Sequence, residues 1–154
     1  ETVHERVRCL TGWLPAELAG LRHGNGAPVV RIDGPGTTDR RRGTVTLNSY
    51  DAKGNFIDHP VIGRLASEHR ISLRTGCFCN PGAGELALGL SKGELFHCMR
   101  EVGENVAHIT YEDFRRCIDD KSTGAVRISF GWASTFADAE AFLAFAREMR
   151  APAT

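Results

Sequence analysis

The chain has 154 residues, of which 42% are hydrophobic and 25% are charged. This length and composition favour one compact folded unit around a single hydrophobic core. The 19 basic and 19 acidic residues cancel, which argues against nucleic acid or a charged membrane surface as a partner. Because no apolar stretch approaches the roughly 20 residues that cross a bilayer, we expect no membrane-spanning segment.

The N-terminal part of the chain predicts two helices. Val3, Val7 and Leu10 share one helical face, which indicates a first amphipathic helix. Pro15 is suited to the first turn of a helix, so we expect a second short helix to begin there and to end at Gly24.

Strands and a further helix follow. Alternation and β-branching predict strands over 29–32 and 43–50, separated by a loop rich in glycine and proline. The basic run 40–42 in that loop is interpreted as solvated, with a phosphate or partner contact as the less favoured alternative. Pro60 then starts a helix, and a short strand is expected at 71–73.

Two cysteines one residue apart come directly after that strand. Cys77 and Cys79 lie in a segment rich in glycine and proline, where a thiol is exposed, and Arg74 supplies a nearby positive charge. Exposure and positive charge both favour the thiolate, which is the reactive form. A reactive thiol is therefore one interpretation, and two small apolar side chains or half of a metal site are the alternatives.

The rest of the chain predicts two helices, a strand and a closing helix. Ser91 with Glu94 forms a capping-box pattern, and Thr110 is expected to cap the next helix. A strand is predicted over 125–130, and Thr135 begins the last helix. The order of these elements indicates an α+β fold with a small mixed or antiparallel sheet covered by helices.

Arg127 lies in the middle of the predicted strand 125–130. Side chains alternate along a strand, so Arg127 points away from the face that Val126 and Ile128 occupy. A guanidinium in this position can hold a carboxylate through two parallel hydrogen bonds. The alternative is an ordinary arginine on the solvent face of a half-exposed sheet.

Two segments resemble a known family. The sequence of residues 74–83, Arg-Thr-Gly-Cys-Phe-Cys-Asn-Pro-Gly-Ala, is similar to the cysteine loop of molybdenum cofactor sulfurases, in the class V aminotransferase and cysteine desulfurase group. Residues 123–136 resemble the arginine strand and the following helix start of the same group. The resemblance implies that residues 1–154 are the small C-terminal domain of a fold-type I pyridoxal phosphate enzyme.

The resemblance also implies roles for individual residues. Counting from Arg74, Cys79 takes the position of the desulfurase nucleophile, which receives sulfur from L-cysteine as a persulfide, and Cys77 is a secondary thiol. Arg127 is expected to bind the carboxylate of the amino-acid substrate. Arg74 and Asn80 are expected to orient the loop or the sulfur acceptor. The molybdenum cofactor is a candidate acceptor, although Gly84 stands where many relatives have a third loop cysteine.

The cofactor of this family is pyridoxal phosphate, held by a lysine in a large domain. The three lysines of this chain, Lys53, Lys92 and Lys121, fall in a turn, after a helix cap and in a polar run. None of these contexts offers the desolvated pocket that a Schiff-base lysine needs. We therefore expect the cofactor to be bound by a large domain that is missing from this chain, and the chain alone to be inactive.

Other inferences concern the remaining cysteines and the cellular context. Five cysteines without a disulfide-scaffold spacing favour a reducing compartment, so a cytoplasmic location is expected. Cys9, Cys98 and Cys117 are interpreted as packed in helices and not as metal ligands. Trp13 and Trp132 are expected to anchor the core or an interface with the large domain. The resemblance implies that the parent enzyme is a homodimer.

Two alternative functions remain open. One is another class V aminotransferase or lyase, in which Arg127 is kept and the loop cysteines have no catalytic role. The other is a non-enzymatic module that uses Cys77 and Cys79 for metal or partner binding. Turnover of L-cysteine to alanine separates the desulfurase from the first alternative, and bound zinc would favour the second.

Overall fold

The computed structural model describes residues 2–76, 88–89, 91–102, 110, 113, 116–118 and 124–151. The chain divides into two compact units. The first is formed by Glu1–Thr75 together with Ala125–Thr154, and the second by Gly76–Gly124.

A single long helix opens the first unit. Helix α1 runs over Thr2–Ala19 and contains Pro15, so the prediction of a second helix beginning at Pro15 and ending at Gly24 is wrong. Pro15 cannot donate the usual hydrogen bond within the helix. Leu14 and Leu18 are nevertheless fully buried on either side of it. Burial of such side chains contributes about 1.5–3 kcal/mol each, which offsets the roughly 3 kcal/mol cost of an interior proline.

In the part of the chain that the structure describes, five short strands form one sheet in the order β1-β2-β5-β4, with β3 paired to β2. The strands are β1 Val30–Asp33, β2 Thr44–Tyr50, β3 Phe56–Ile57, β4 Arg74–Gly76 and β5 Ala125–Ser129. Strand β2 pairs antiparallel with β1, β3 and β5. The predicted α+β class, a small sheet with helices on it, is confirmed.

The fourth strand begins three residues later than the sequence predicts. Helix α2 spans His59–Glu68, with Pro60 in its first turn as predicted. Arg70 then takes a φ of 60°, and the Ile71 N–H donates to the Ala66 carbonyl at 2.8 Å. This left-handed ending still belongs to the helix. Residues 71–73 therefore form the connection after α2, and the strand begins at Arg74.

Three helices contribute to a core on one face of the sheet. Helix α4 covers Phe136–Glu148 and begins after Thr135, as predicted, with a capping box in which Thr135 accepts a hydrogen bond from the Asp138 N–H. The core cluster includes buried residues of α1, α2, α4 and the strands, among them Leu10, Leu14, Val45, Leu47, Ile62, Val126, Phe142 and Leu143. Phe136, the first residue of α4, is 49% exposed and packs edge-on against Trp13. Trp132 is exposed and does not anchor this core.

His23 connects two parts of the first unit that are distant in sequence. The Ala151 N–H donates to Nδ1 at 3.0 Å, so Nε2 carries the proton and donates to the Tyr50 carbonyl at 3.0 Å. The Gly24 N–H also donates to the Ala151 carbonyl. His23 is buried. The histidine therefore connects the end of β2 to the segment after α4.

The second unit contains helix α3, Lys92–Val102. Its predicted capping box is confirmed, because the Ser91 N–H donates to Glu94 and the Glu94 N–H to the Ser91 hydroxyl. Thr110 likewise accepts a hydrogen bond from the Asp113 N–H. None of the helices in the described ranges is both long and apolar enough to cross a membrane.

The cysteines outside the loop differ from the prediction. Cys98 and Cys117 form a disulfide, with their Cα atoms 5.4 Å apart, and are not two independent packed thiols. Cys9 was expected to be packed, but it is exposed because α1 buries Leu10 and Leu14 on another side.

Gly43 lies at the closest approach between the start of β2 and the end of β5. Its carbonyl accepts a hydrogen bond from the Phe130 N–H at 2.6 Å. A Cβ placed on Gly43 would lie 2.5 Å from the Phe130 carbonyl oxygen and 3.0 Å from Val7 Cγ1. We expect Gly43→Ala to lower the free energy of unfolding by about 1–3 kcal/mol, since backbone must move to admit the methyl group.

Urea unfolding of this variant should be compared with Gly36→Ala, since a Cβ on Gly36 has no heavy atom within 4 Å. The control is expected to change the free energy of unfolding by less than about 0.5 kcal/mol. Equal unfolding midpoints for the two variants would show that the contact between Gly43 and Phe130 does not constrain the sheet.

Candidate functional site

The face of the sheet opposite the core is polar. Directly paired residues of antiparallel strands point to the same side. Thr46 pairs with Asp33 on one side and with Arg127 on the other. Asn48 pairs with Arg31, two residues further along β2. These five side chains therefore lie on one face, which we call the polar face.

Arg127 is the cation on the central part of the polar face. Val126 and Ile128, its neighbours on β5, are 1% and 8% exposed and belong to the core side. Arg127 itself is half-buried, and its Nε atom is shielded from solvent. Partial burial strengthens the attraction between a guanidinium and a bound carboxylate, because less solvent screens the charges. The position is suited to anion recognition.

Asp33 and Asn48 form a hydrogen-bonded pair on the same face. The Asn48 Nδ2 donates to Asp33 Oδ2 at 2.8 Å, and Asn48 is 4% exposed. Burial raises the pKa of the Asp33 carboxyl, and the charge of Arg31 opposes this only in part. Burial likewise raises the pKa of Tyr50, against a hydrogen bond from Arg31. The polar face therefore holds a connected set of side chains and not separate solvated groups.

Sequence reasoning missed Asp33 and Asn48. Each follows an apolar residue in or next to a predicted strand, and this alternation was the signal that could have placed both on the polar side of the sheet. Their pairing depends on the register of β1 with β2, and that register is visible only in the structure. Asp33 lies across β2 from Arg127, with Thr46 between them, and Asn48 lies on β2 itself.

The other predicted site residues lie in or after β4. Arg74 is the exposed first residue of β4, and β4 is the neighbour of β5 in the sheet. Arg74 and Arg127 are thus on adjacent strands. Cys77, Cys79 and Asn80 lie outside the described residues. They follow β4 directly in sequence, since the strand ends at Gly76.

The described lysines do not fit the attachment of pyridoxal phosphate. Lys53 is exposed in a turn, where its N–H donates to the Asp51 carboxylate. Lys92 is exposed at the start of α3, and Lys121 lies outside the described residues. A Schiff-base lysine needs a desolvated environment, which neither described lysine has. The described ranges also contain no group of three His, Cys, Asp or Glu side chains that could hold a metal ion.

These features define a small α+β domain with a half-buried arginine on the polar face of its sheet, and with a cysteine-containing segment directly after the neighbouring strand β4. No protein-family model matches the chain. It is 38% identical over 148 residues to the molybdenum cofactor sulfurase of Bos taurus, covering 94% of this chain and 16% of that protein. The enzyme of Homo sapiens is 36% identical over 156 residues, covering 97% of this chain and 17% of the relative. The molybdenum cofactor sulfurase of Arabidopsis thaliana is 40% identical over 140 residues, covering 88% of this chain and 16% of that protein.

The chain is thus a homologue of one segment of the molybdenum cofactor sulfurases, which confirms the resemblance seen in its cysteine loop and arginine strand. It spans only 16% to 17% of the length of these three relatives. The activity of a whole sulfurase therefore does not follow from the similarity alone.

The raised pKa of Asp33 gives a testable pH dependence. The folded protein holds the Asp33 proton more tightly than the unfolded chain does, so the contribution of Asp33 to stability falls as the pH rises above 3.8 towards the folded pKa. Asn cannot ionise, and its side-chain oxygen can still accept from Asn48. We therefore expect the free energy of unfolding of Asp33→Asn, relative to that of the native protein, to be higher at pH 7 than at pH 3.

Urea unfolding at both pH values measures this gain, and the same substitution at the exposed Asp39 serves as the control. A constant difference between Asp33→Asn and the native protein at the two pH values would contradict the role given to burial of the carboxylate.

Proposed function

We propose that residues 1–154 form the C-terminal domain of a pyridoxal phosphate-dependent cysteine desulfurase and sulfurtransferase, in which a loop cysteine receives sulfur from L-cysteine. The observation that carries this proposal is the position of Arg127 on the polar face, on the strand next to the one that leads to Cys77 and Cys79. The homology to molybdenum cofactor sulfurases supports a sulfurase-like domain within an enzyme.

In this proposal Arg127 recognises the amino-acid substrate. The guanidinium donates two parallel hydrogen bonds to the α-carboxylate, which fixes the substrate in one orientation. Thr46 lies directly opposite Arg127, with a half-buried side chain, so solvent competes less for the guanidinium than on an open surface. Asp33 lies beyond Thr46 on the same face, on the strand across β2 from Arg127.

Cys79 is proposed as the sulfur-receiving residue. Its thiolate attacks the sulfur of L-cysteine, and a sulfur–sulfur bond forms while the carbon–sulfur bond of the substrate breaks. The electron pair stays with the substrate carbon, which takes a proton, so the products are alanine and a Cys79 persulfide. Arg74 begins the strand before the loop and is positioned in sequence to favour the thiolate. Cys77 is assigned as a secondary thiol, and Asn80 as a residue that orients the loop or the acceptor.

Pyridoxal phosphate, when bound, supplies the electron sink that weakens the carbon–sulfur bond. Its attachment lysine is assigned to another domain, because the described lysines do not suit this role. The chain alone is therefore expected to be inactive, and the complete enzyme is expected to be a homodimer. A cytoplasmic location remains part of this proposal, as does the absence of nucleic acid as a partner.

The sulfur acceptor is proposed from the relatives. Their name makes the molybdenum cofactor the first candidate acceptor of the persulfide sulfur. A class V aminotransferase or lyase is the second candidate function, because Arg127 would bind an amino-acid carboxylate in such an enzyme as well. The fate of L-cysteine distinguishes the two.

Arg127→Lys tests the substrate-binding role in the full-length protein. Lysine keeps the positive charge and loses the two-pronged hydrogen bond, so we expect the KM for L-cysteine to rise about tenfold or more. Arg31→Lys, on the same face at β1, is the matched control and should leave KM unchanged. Steady-state kinetics would reject the role if both variants had the native KM.

Cys79→Ser and Cys77→Ser separate the two loop thiols. We expect Cys79→Ser to lower sulfide release by about a hundredfold or more, because an alcohol cannot take the place of the thiolate nucleophile. Cys77→Ser should retain most of the activity. Peptide mass spectrometry of the native protein after exposure to L-cysteine should find the added sulfur on Cys79. Sulfur on Cys77 alone would reverse the assignment.

A further inference from the structure

A cavity of about 590 Å³ lies between the N-terminal half of α1 and the segment that leads into β2. Arg8 of α1 lines one wall, and Arg41 and Arg42 line the other. Among the described lining residues, Asp39 is the only carboxylate, and His4 is the remaining ionisable group. Three arginines against one aspartate give the described lining a formal charge of +2.

Arg41 is held in place by the backbone. Its guanidinium donates to the carbonyl oxygens of Pro35 and Thr44. Burial lowers the pKa of this arginine, which means that the fold carries the cost of partly desolvating its charge. No carboxylate in the described part of the chain lies within 4.0 Å of the guanidinium. An anion in the cavity would offset that cost.

Arg8 and Arg42 complete the cationic lining. Within the described ranges, neither has a hydrogen bond or an ion pair from its side chain. Other surface arginines differ, since Arg64 and Arg147 pair with glutamates at 2.7 and 2.8 Å. Two exposed guanidinium groups facing one cavity repel each other unless an anion lies between them. Their arrangement therefore favours a negatively charged ligand.

We propose that this cavity binds a small molecule bearing a phosphate group, held by Arg8, Arg41 and Arg42. A phosphate monoester carries a charge of about −1.5 to −2 at neutral pH, which matches the charge of the lining. Arginine forks fit phosphate oxygens through paired hydrogen bonds. The cavity lies within the roughly 300–1,000 Å³ range of small-molecule pockets, so it has room for an organic group beside the phosphate.

The site uses none of the residues assigned to sulfur transfer. Arg127, Cys77 and Cys79 are absent from the cavity lining. The proposal therefore does not depend on the proposed desulfurase function. It also changes the interpretation of the basic run 40–42, for which the sequence favoured a solvated loop: Arg41 and Arg42 line the cavity.

Isothermal titration of the full-length protein with pyrophosphate at low ionic strength tests the proposal. We expect saturable binding that weakens as salt is added. Arg8→Gln and Arg42→Gln should each raise the Kd about fivefold or more, since each removes charge-assisted hydrogen bonds. Arg6→Gln, an exposed residue of the same helix that does not line the cavity, is the matched control and should keep the native Kd.

Thermal unfolding of each variant verifies that it is folded before titration. The proposal is overturned if pyrophosphate does not bind, or if Arg8→Gln and Arg42→Gln bind it as tightly as the native protein does. It is also overturned if a polyglutamate peptide binds in this cavity and pyrophosphate does not, since that result would assign the arginines to an acidic protein segment.

Discussion

The pairing of strand β2 with β1 and β5 is the constraint on which the candidate substrate site depends. Val45 and Leu47 of β2 are fully buried in the core, and Thr46 between them faces the other side. The register places Thr46 opposite Arg127. A slip of one residue would turn Arg127 towards the core and expose Val126. Burial of the apolar side chains therefore also holds the guanidinium on the polar face.

Predictions that rest on contacts between residues close in sequence agree well with the structure. The two capping boxes, at Ser91 with Glu94 and at Thr135 with Asp138, depend on contacts three residues apart, and the structure contains both. The prediction of a helix start at Pro15 was wrong because the preference of proline for the first turn was outweighed by burial of Leu18. That burial involves residues distant in sequence. Local reasoning succeeds where the stabilising contact is local.

Long-range partnerships could not be derived in the same way. The bond between Cys98 and Cys117 joins residues 19 apart, and nothing in their spacing distinguishes a bonded pair from two packed thiols. The hydrogen bond between Asp33 and Asn48 requires the strand register. The arginine cavity likewise joins Arg8 of α1 to Arg42, which is distant in sequence. The resemblance supplied the roles proposed for Cys79 and Arg127, and these remain predictions.

The formal charges of this chain cancel in total, but they are unevenly distributed over the structure. The equal numbers of basic and acidic residues argue against binding to an extended polyanion. Arg127 on the polar face and the three arginines around the cavity are nevertheless local concentrations of positive charge, each suited to one small anion. A neutral domain can therefore contain two separate anion sites, one proposed for a carboxylate and the other for a phosphate.

The most direct test of the central claim is the product formed from L-cysteine by the full-length protein loaded with pyridoxal phosphate. With a thiol reductant present to release the persulfide sulfur, the account predicts one alanine for each sulfide. Folded protein with bound cofactor that yields no alanine from L-cysteine would contradict the desulfurase assignment and favour an aminotransferase or lyase.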